Sequence, residues 1–261
     1  MTKYKESLIN QKFVEVNKVK VSFFKYGSGK KEILILHGFG SSIKSWKKLI
    51  VKFDPKQFTL HFVELPGFGQ SQHPPVPWEV SDYTLFIQNL LKKEKINPEY
   101  LICHSFGGRI SIQLLNDKHT FKKAIFVAAA GIRPKLNLLQ KLSNTIGPIL
   151  KPIKKFTPIQ KLIKLLRKAI GAQDYSKVEG TMKQTFVNVV NTDLTGKLAS
   201  IDIPVQLIWG DQDTLTPLYM GQQMDKLIPN SSLKIYGNKK HGLHLTNPAK
   251  LNQDIINFIN A

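Results

Sequence analysis

A serine placed where an ordinary structural segment has little use for one is the first chemically suggestive feature of this chain. The stretch Cys103-His104-Ser105-Phe106-Gly107 follows the apolar run Tyr100 to Cys103. It precedes a helical pattern carried by Ile110, Ile112, Leu114 and Leu115. A serine on a strand-to-helix turn presents its hydroxyl for attack on a carbonyl, provided that a base takes the proton. Gly107 has no Cβ to collide in so sharp a turn, and Gly108 lets the helix approach its neighbours. The usual pattern of such elbows is G-x-S-x-G, and Cys103 stands where its first glycine belongs. The C-terminal quarter offers partners: Asp211 and Asp213 in "WGDQD" as acids, His241 and His244 in "KHGLHLTNP" as bases. Near the start, "HGFG" at 37–40 has residues small enough for a backbone N–H to face a reacting oxygen. That donor, assigned to Phe39, and the N–H of Phe106 would hold the anion of a tetrahedral intermediate.

These residues need a scaffold that brings them to one place. "KFVEVNKVKVSFFKYG" reads as an antiparallel hairpin turning near Asn17-Lys18, and "EILIL" at 32–36 as a buried strand. Helices over 43–53, 82–95, 218–228, from 106 and from about 247 then alternate with strands at 59–65, 100–103, 124–130, 205–210 and 232–237. This rhythm predicts an α/β protein with a mostly parallel, eight-stranded sheet and helices on both faces. Such sheets bind ligands at the carboxyl ends of their strands, where each candidate residue falls. Residues 131–200 break the rhythm with helices that have no strand between them. They predict a helical cap inserted into a core made of 1–130 and 201–261. One cap helix is marked by a capping box, Thr157 with Gln160, and by Pro158 in its first turn. Its face carries Ile159, Leu162, Ile163, Leu166 and Ile170, with Lys161, Lys164, Arg167 and Lys168 off that face.

Five motifs in order, "HGFG" at 37–40, "LPGFGQS" at 65–71, the elbow at 103–107, "WGDQD" at 209–213 and "KHGLHLTNP" at 240–248, resemble the α/β-hydrolase superfamily. The likeness is to its capped serine hydrolases, which include small carboxylesterases, meta-cleavage product hydrolases and proline iminopeptidases. It implies Ser105 as nucleophile, Asp213 as acid because it stands three residues after the strand-ending Gly210, and His241 as base because Pro248 follows at the family's interval. Where the family has an acidic residue five positions after that histidine, this chain has Thr246. Asp211 then reads as a turn residue and His244 as pocket lining or core. The implied activity is hydrolysis of carboxylic esters of short to medium acyl chains through an acyl-enzyme. Gly38, Gly40, His104, Leu215 and His244 are the implied substrate contacts. Lactonase, C–C bond hydrolase and aminopeptidase chemistry share the fold, and a non-catalytic ligand receptor stays open through the departures at Cys103 and Thr246. A serine nucleophile argues against haloalkane dehalogenases and epoxide hydrolases, which need a carboxylate there. No cofactor is implied, and His241-x-x-His244 lacks the Cys or carboxylate cluster that would complete a metal site.

Composition sets the outer bounds. With 261 residues and 42% apolar content the chain reads as one globular unit with a substantial core. Its single cysteine, a polar start without a signal-like apolar region, and no apolar run near the ~20 residues of a spanning helix point to a cytoplasmic protein. The formal charge of +20 is concentrated: residues 131–170 hold ten Lys or Arg and no Asp or Glu. A cap of this kind suits peripheral contact with an anionic membrane surface, or attraction of acidic acyl substrates to the entrance. It equally suits solvated lysines over an apolar face packed on the core. No aromatic-interleaved basic surface suggests nucleic acid, so the expected partner is a small ester or lactone; nothing in the sequence speaks to the oligomeric state.

Overall fold

The structure, a computed structural model, describes residues 2–117, 120–133 and 180–261. A short helix α1 (Thr2–Ser7) leads into the hairpin β1 (Ile9–Val16) and β2 (Val19–Tyr26). Asn17 and Lys18 turn this hairpin with φ of 50° and 65°, the two left-handed residues that match the twist of paired strands. The order continues with β3 (Lys31–Leu36), α2 (Ile43–Ile50), β4 (Phe58–Val63), α3 (Val80–Glu94), β5 (Tyr100–His104), α4 (Phe106–Asn116) and β6 (Lys123–Val127). Beyond residue 180 come α5 (Thr181–Asn191), a 3-10 turn (Thr195–Ser200), β7 (Val205–Gly210), α6 (Leu218–Leu227), β8 (Ser231–Tyr236), α7 (Leu243–Thr246) and α8 (Pro248–Asn260).

The eight strands form one sheet in the order β1-β2-β4-β3-β5-β6-β7-β8. It is antiparallel through the hairpin and its junction with β4, and parallel from β4 to β8. The central strands are almost wholly buried, as their unbroken apolar runs require when helices cover both faces. Alternation sorts each strand between two cores: Ile33 and Ile35 of β3 meet Trp46 and Leu49 of α2 and Leu251 and Ile255 of α8. Leu34 and Leu36 face the other way, into the cluster holding Phe86 and Leu90 of α3 and Ile110 and Leu114 of α4. Because β3, β5, β7 and β8 run in parallel, their carboxyl ends deliver His37, Ser105, Asp213 and His241 to one edge of the sheet.

Three local features differ from the sequence reading. The helices α1 and α7 have six and four residues, too few for a periodic pattern to announce them. The strand expected over 124–130 stops at Val127, because Ala128 turns left-handed at φ 46°. Two residues on, Ala130 donates a backbone N–H to Ser105 O at 2.8 Å, so the residues that leave the sheet brace the serine. Of the expected cap, residues 134–179, including the helix after Thr157 and all but one of the ten clustered basic residues, lie outside the described residues. The remainder packs on the core: α5 buries Met182, Phe186 and Val189, and Trp78 N–H donates to Thr185 Oγ1 at 2.9 Å. Among the described residues no helix is long and apolar enough to cross a membrane.

Candidate active site

Ser105 is the hinge between β5 and α4, at φ 50° and ψ −117°. A non-glycine residue in this region stores about 1–3 kcal/mol of strain and persists only where its surroundings over-determine it. Here its N–H donates to Val127 O at 3.3 Å, and its carbonyl accepts from Gly108 and Ala130, both at 2.8 Å. The turn closes because Gly107 lacks a side chain: a Cβ there would lie 2.2 Å from Leu36 O. Cys103 is fully buried in the core below the elbow. Burial pushes its thiol up to about 12, against opposing hydrogen bonds with Ser111 and Val127, so it is a neutral packing group at the position usually held by glycine.

Asp213 follows β7 through a turn in which its side chain is completely buried. Its Oδ1 accepts the backbone N–H groups of Leu215 at 2.9 Å and Thr216 at 3.0 Å. Its Oδ2 accepts from His241 Nδ1 at 2.7 Å, and the Thr216 hydroxyl lies 2.9 Å from the same oxygen and 3.0 Å from Ala128 O. Exposed Asp211 instead accepts the N–H of Lys239 at 3.2 Å. The structure thus brings Asp213, and not Asp211, to His241. Among the described residues no hydrogen bond joins His241 Nε2 to the Ser105 hydroxyl.

Behind His241 lies a buried ring cluster. His104 and His241 have centroids 4.6 Å apart, His104 and His244 4.5 Å, and His244 stacks on Trp46 at 4.6 Å. His104 Nε2 bonds to the His241 carbonyl at 3.1 Å, tying the elbow strand to the base-bearing loop. Burial, reinforced by the neighbouring histidines, holds His104 well below its ordinary pKa and lowers His244 to about 3. His104 and His244 are therefore neutral at physiological pH.

The loop expected to supply an oxyanion donor is braced in the same way. His37 donates from Nδ1 to Gly38 O at 2.7 Å and accepts Leu65 N–H on Nε2 at 2.9 Å, which fixes its tautomer. The buried Glu64 carboxylate accepts Ile43 N–H at the start of α2 and Gln70 N–H in the "LPGFGQS" turn. That motif therefore supports the loop from below. Phe106 is the first residue of α4, where the helix offers its N–H no internal acceptor.

A cavity of about 80 Å³ opens at Ser105, walled mainly by apolar side chains such as Phe39, Phe106, Phe186, Leu215 and Met220. Of the five residues expected to contact substrate, Leu215 lines it; His104 and His244 sit in the ring cluster, and Gly38 and Gly40 lie in the loop beside it. The sequence reading missed Thr216 and Arg109, both in the cavity wall. A threonine three residues after an aspartate carries no signal of its own. An arginine four residues after the serine, in a chain with so few arginines, was a signal left unused.

The profile of a family of hydrolases, serine aminopeptidase S33, matches residues 27–247. The pimeloyl-[acyl-carrier protein] methyl ester esterase of Pectobacterium atrosepticum is 24% identical over 90% of this chain and 96% of its own. The enzyme of the same name from Proteus mirabilis is 24% identical over 88% and 93%. Among solved structures, a membrane phospholipase A described as a bacterial virulence factor superposes with a TM-score of 0.78, at 21% identity over 98% of this chain and 87% of that one. An esterase from Exiguobacterium antarcticum gives 0.74, at 17% identity over 97% and 100%.

Proposed function

Since the chain belongs to the serine aminopeptidase S33 family and has the α/β-hydrolase fold, we propose that it is a serine esterase acting on carboxylic esters with short acyl groups. One observation carries this reading: the strained Ser105 opens on a cavity at the sheet edge where a buried carboxylate, Asp213, orients His241 at 2.7 Å. A carboxylate held by two backbone N–H groups keeps the proton on Nδ1 of the imidazole. Nε2 is then free to act as base.

In the reaction, Ser105 Oγ attacks the ester carbonyl while His241 Nε2 takes the hydroxyl proton, and Asp213 stabilises the imidazolium. The Ser105–His241 hydrogen bond forms as substrate settles, since such bonds tighten in the Michaelis complex. The N–H groups of Phe39 and Phe106 receive the oxyanion. Collapse of the intermediate expels the alcohol with the proton from His241 and leaves an acyl-enzyme. Water, deprotonated by the same imidazole, then releases the acid. The cavity at Ser105, walled mainly by apolar side chains, suits an acyl group of modest length. The esterase names of the relatives at 24% identity support ester over amide chemistry.

The test is turnover of p-nitrophenyl esters of increasing chain length, beside lactones and aminoacyl amides, by the wild type and Ser105→Ala. Hydrolysis of short esters that disappears in the variant, with an unchanged melting temperature, is expected. Activity on none of the esters, or survival of more than a few percent in Ser105→Ala, refutes the assignment.

A further inference from the structure

We propose that Arg109 makes the cavity beside Ser105 a site for a carboxylate-bearing acyl group, so that the preferred substrates are esters of short dicarboxylic acids; this rests on the esterase reading above. Arg109 stands one helical turn beyond Ser105 on α4, is 4% exposed, and lines the same cavity. Its Nη1 donates to the carbonyls of Gly131, at 3.4 Å, and Thr192, and its Nη2 donates to Val190 O at 3.3 Å. All three acceptors are neutral. Among the described residues no carboxylate forms an ion pair with it. Asp193 acts only through space and directs its Oδ1 to the N–H and hydroxyl of Thr195.

The guanidinium therefore brings a full positive charge into a wall whose other side chains, apart from the hydroxyls of Ser105 and Thr216, are apolar. Burial lowers its pKa only to about 10, so it remains a cation at neutral pH. Carbonyl dipoles satisfy some of its N–H groups but do not cancel the charge, and an unpaired buried charge is strongly unfavourable. An anion entering the cavity would supply the direct ion pair that the more distant Asp193 does not, and a guanidinium matches a carboxylate with two parallel hydrogen bonds. Residue choice points the same way. Of the 38 Lys and Arg in the chain only three are Arg, at 109, 133 and 167, so arginine is the exception where lysine is the habit. The single helical turn between Ser105 and Arg109 limits the spacer between the two acyl ends to a few carbons.

The experiment compares kcat/KM for monomethyl glutarate and for its uncharged counterpart, the methyl ester of glutaric acid monoamide, by methanol release at low salt. The wild type should prefer the carboxylate by roughly tenfold or more. In Arg109→Gln and Arg109→Met that preference should fall to within about twofold, with the neutral ester still turned over. A second arm uses the wild type alone. Phenylglyoxal labelling of the peptide containing Arg109, followed by mass spectrometry, should be blocked by free glutarate and not by glutaramide. Equal turnover of the two esters, a preference that survives in a folded variant, or labelling that glutarate leaves unchanged overturns the proposal. If neither ester is hydrolysed the esterase reading fails, and the labelling arm still decides whether Arg109 binds carboxylates.

Discussion

Replacing Asp213 by asparagine changes one oxygen to an amide nitrogen, and the hydrogen bonds around it dictate the result. Oδ1 accepts two backbone N–H groups, from Leu215 and Thr216, while Oδ2 faces His241 Nδ1 at 2.7 Å. If the asparagine oxygen keeps the first position, its NH2 group points at His241 and Nδ1 must accept. The imidazole then carries its proton on Nε2 and cannot take one from Ser105. The flipped amide would restore the correct tautomer but turn its NH2 toward the two backbone donors, leaving both unpaired at about 1–3 kcal/mol each. The productive arrangement is thus disfavoured by about 2–6 kcal/mol, roughly 30- to 10⁴-fold in population. Loss of the carboxylate's stabilisation of the imidazolium pushes the effect toward the upper end, so kcat for a short p-nitrophenyl ester should fall about 10³- to 10⁴-fold. Nitrogen-15 NMR of His241 should show the proton moved from Nδ1 to Nε2, with the melting temperature confirming an intact fold. Asp211→Asn, which touches only the Lys239 N–H at 3.2 Å, should stay within about threefold of wild type. A loss below about 30-fold for Asp213→Asn, or an equal loss for Asp211→Asn, would refute this reasoning.

The elbow and the histidines give two further expectations. Cys103→Gly should keep ester turnover within a few-fold and cost about 1 kcal/mol through backbone entropy. Cys103→Leu, at a fully buried position, should cost about 1–3 kcal/mol and disturb Ser105; a dead, folded glycine variant would make the thiol chemical after all. Stability should also fall in mild acid. Burial lowers His37 and His61 to about 4 and His244 to about 3, and holds His104 well below its ordinary value. Between those values and about 6.5 the unfolded chain binds protons that the native state refuses. The contribution is therefore complete above about pH 6.5 and declines as pH drops toward 4. Calorimetric melts from pH 8 to 5 should show a falling Tm and proton uptake on unfolding, whereas a flat profile contradicts the neutral buried cluster.

How far the sequence could be read follows from the kind of signal each residue leaves. Strands such as β3 and β7, buried on both faces, announce themselves as unbroken apolar runs, and the twist of the hairpin is legible in Asn17-Lys18. Ser105 could be found because a turn that sharp needs Gly107 against Leu36 O. Residue types alone left Asp211 and Asp213 in competition, as they did His241 and His244. Spacing within the family pattern favoured one of each, and the structure pairs those two. Thr216 and Arg109 acquire meaning only from what folds against them: Ala128 O for one, and the carbonyls of Val190 and Thr192, some eighty residues distant, for the other. Nor could periodicity show that His104 would meet His244 edge-on, or that His244 would stack on Trp46, because ring contacts across three separate segments leave no trace in any one of them.

The lone cysteine also turns the elbow into its own clock. Cys103 lies in β5 with no exposed surface, paired in register with Leu36 on one side and Phe126 on the other, two residues before Ser105. With its thiol held neutral, it reacts with a disulfide reagent only when the middle of the sheet opens and lets the thiolate form. No other cysteine contributes background. The rate at which thiol is consumed therefore reports the opening of the strand that carries the serine. Any compound that clamps the site slows that rate whether or not it is ever hydrolysed.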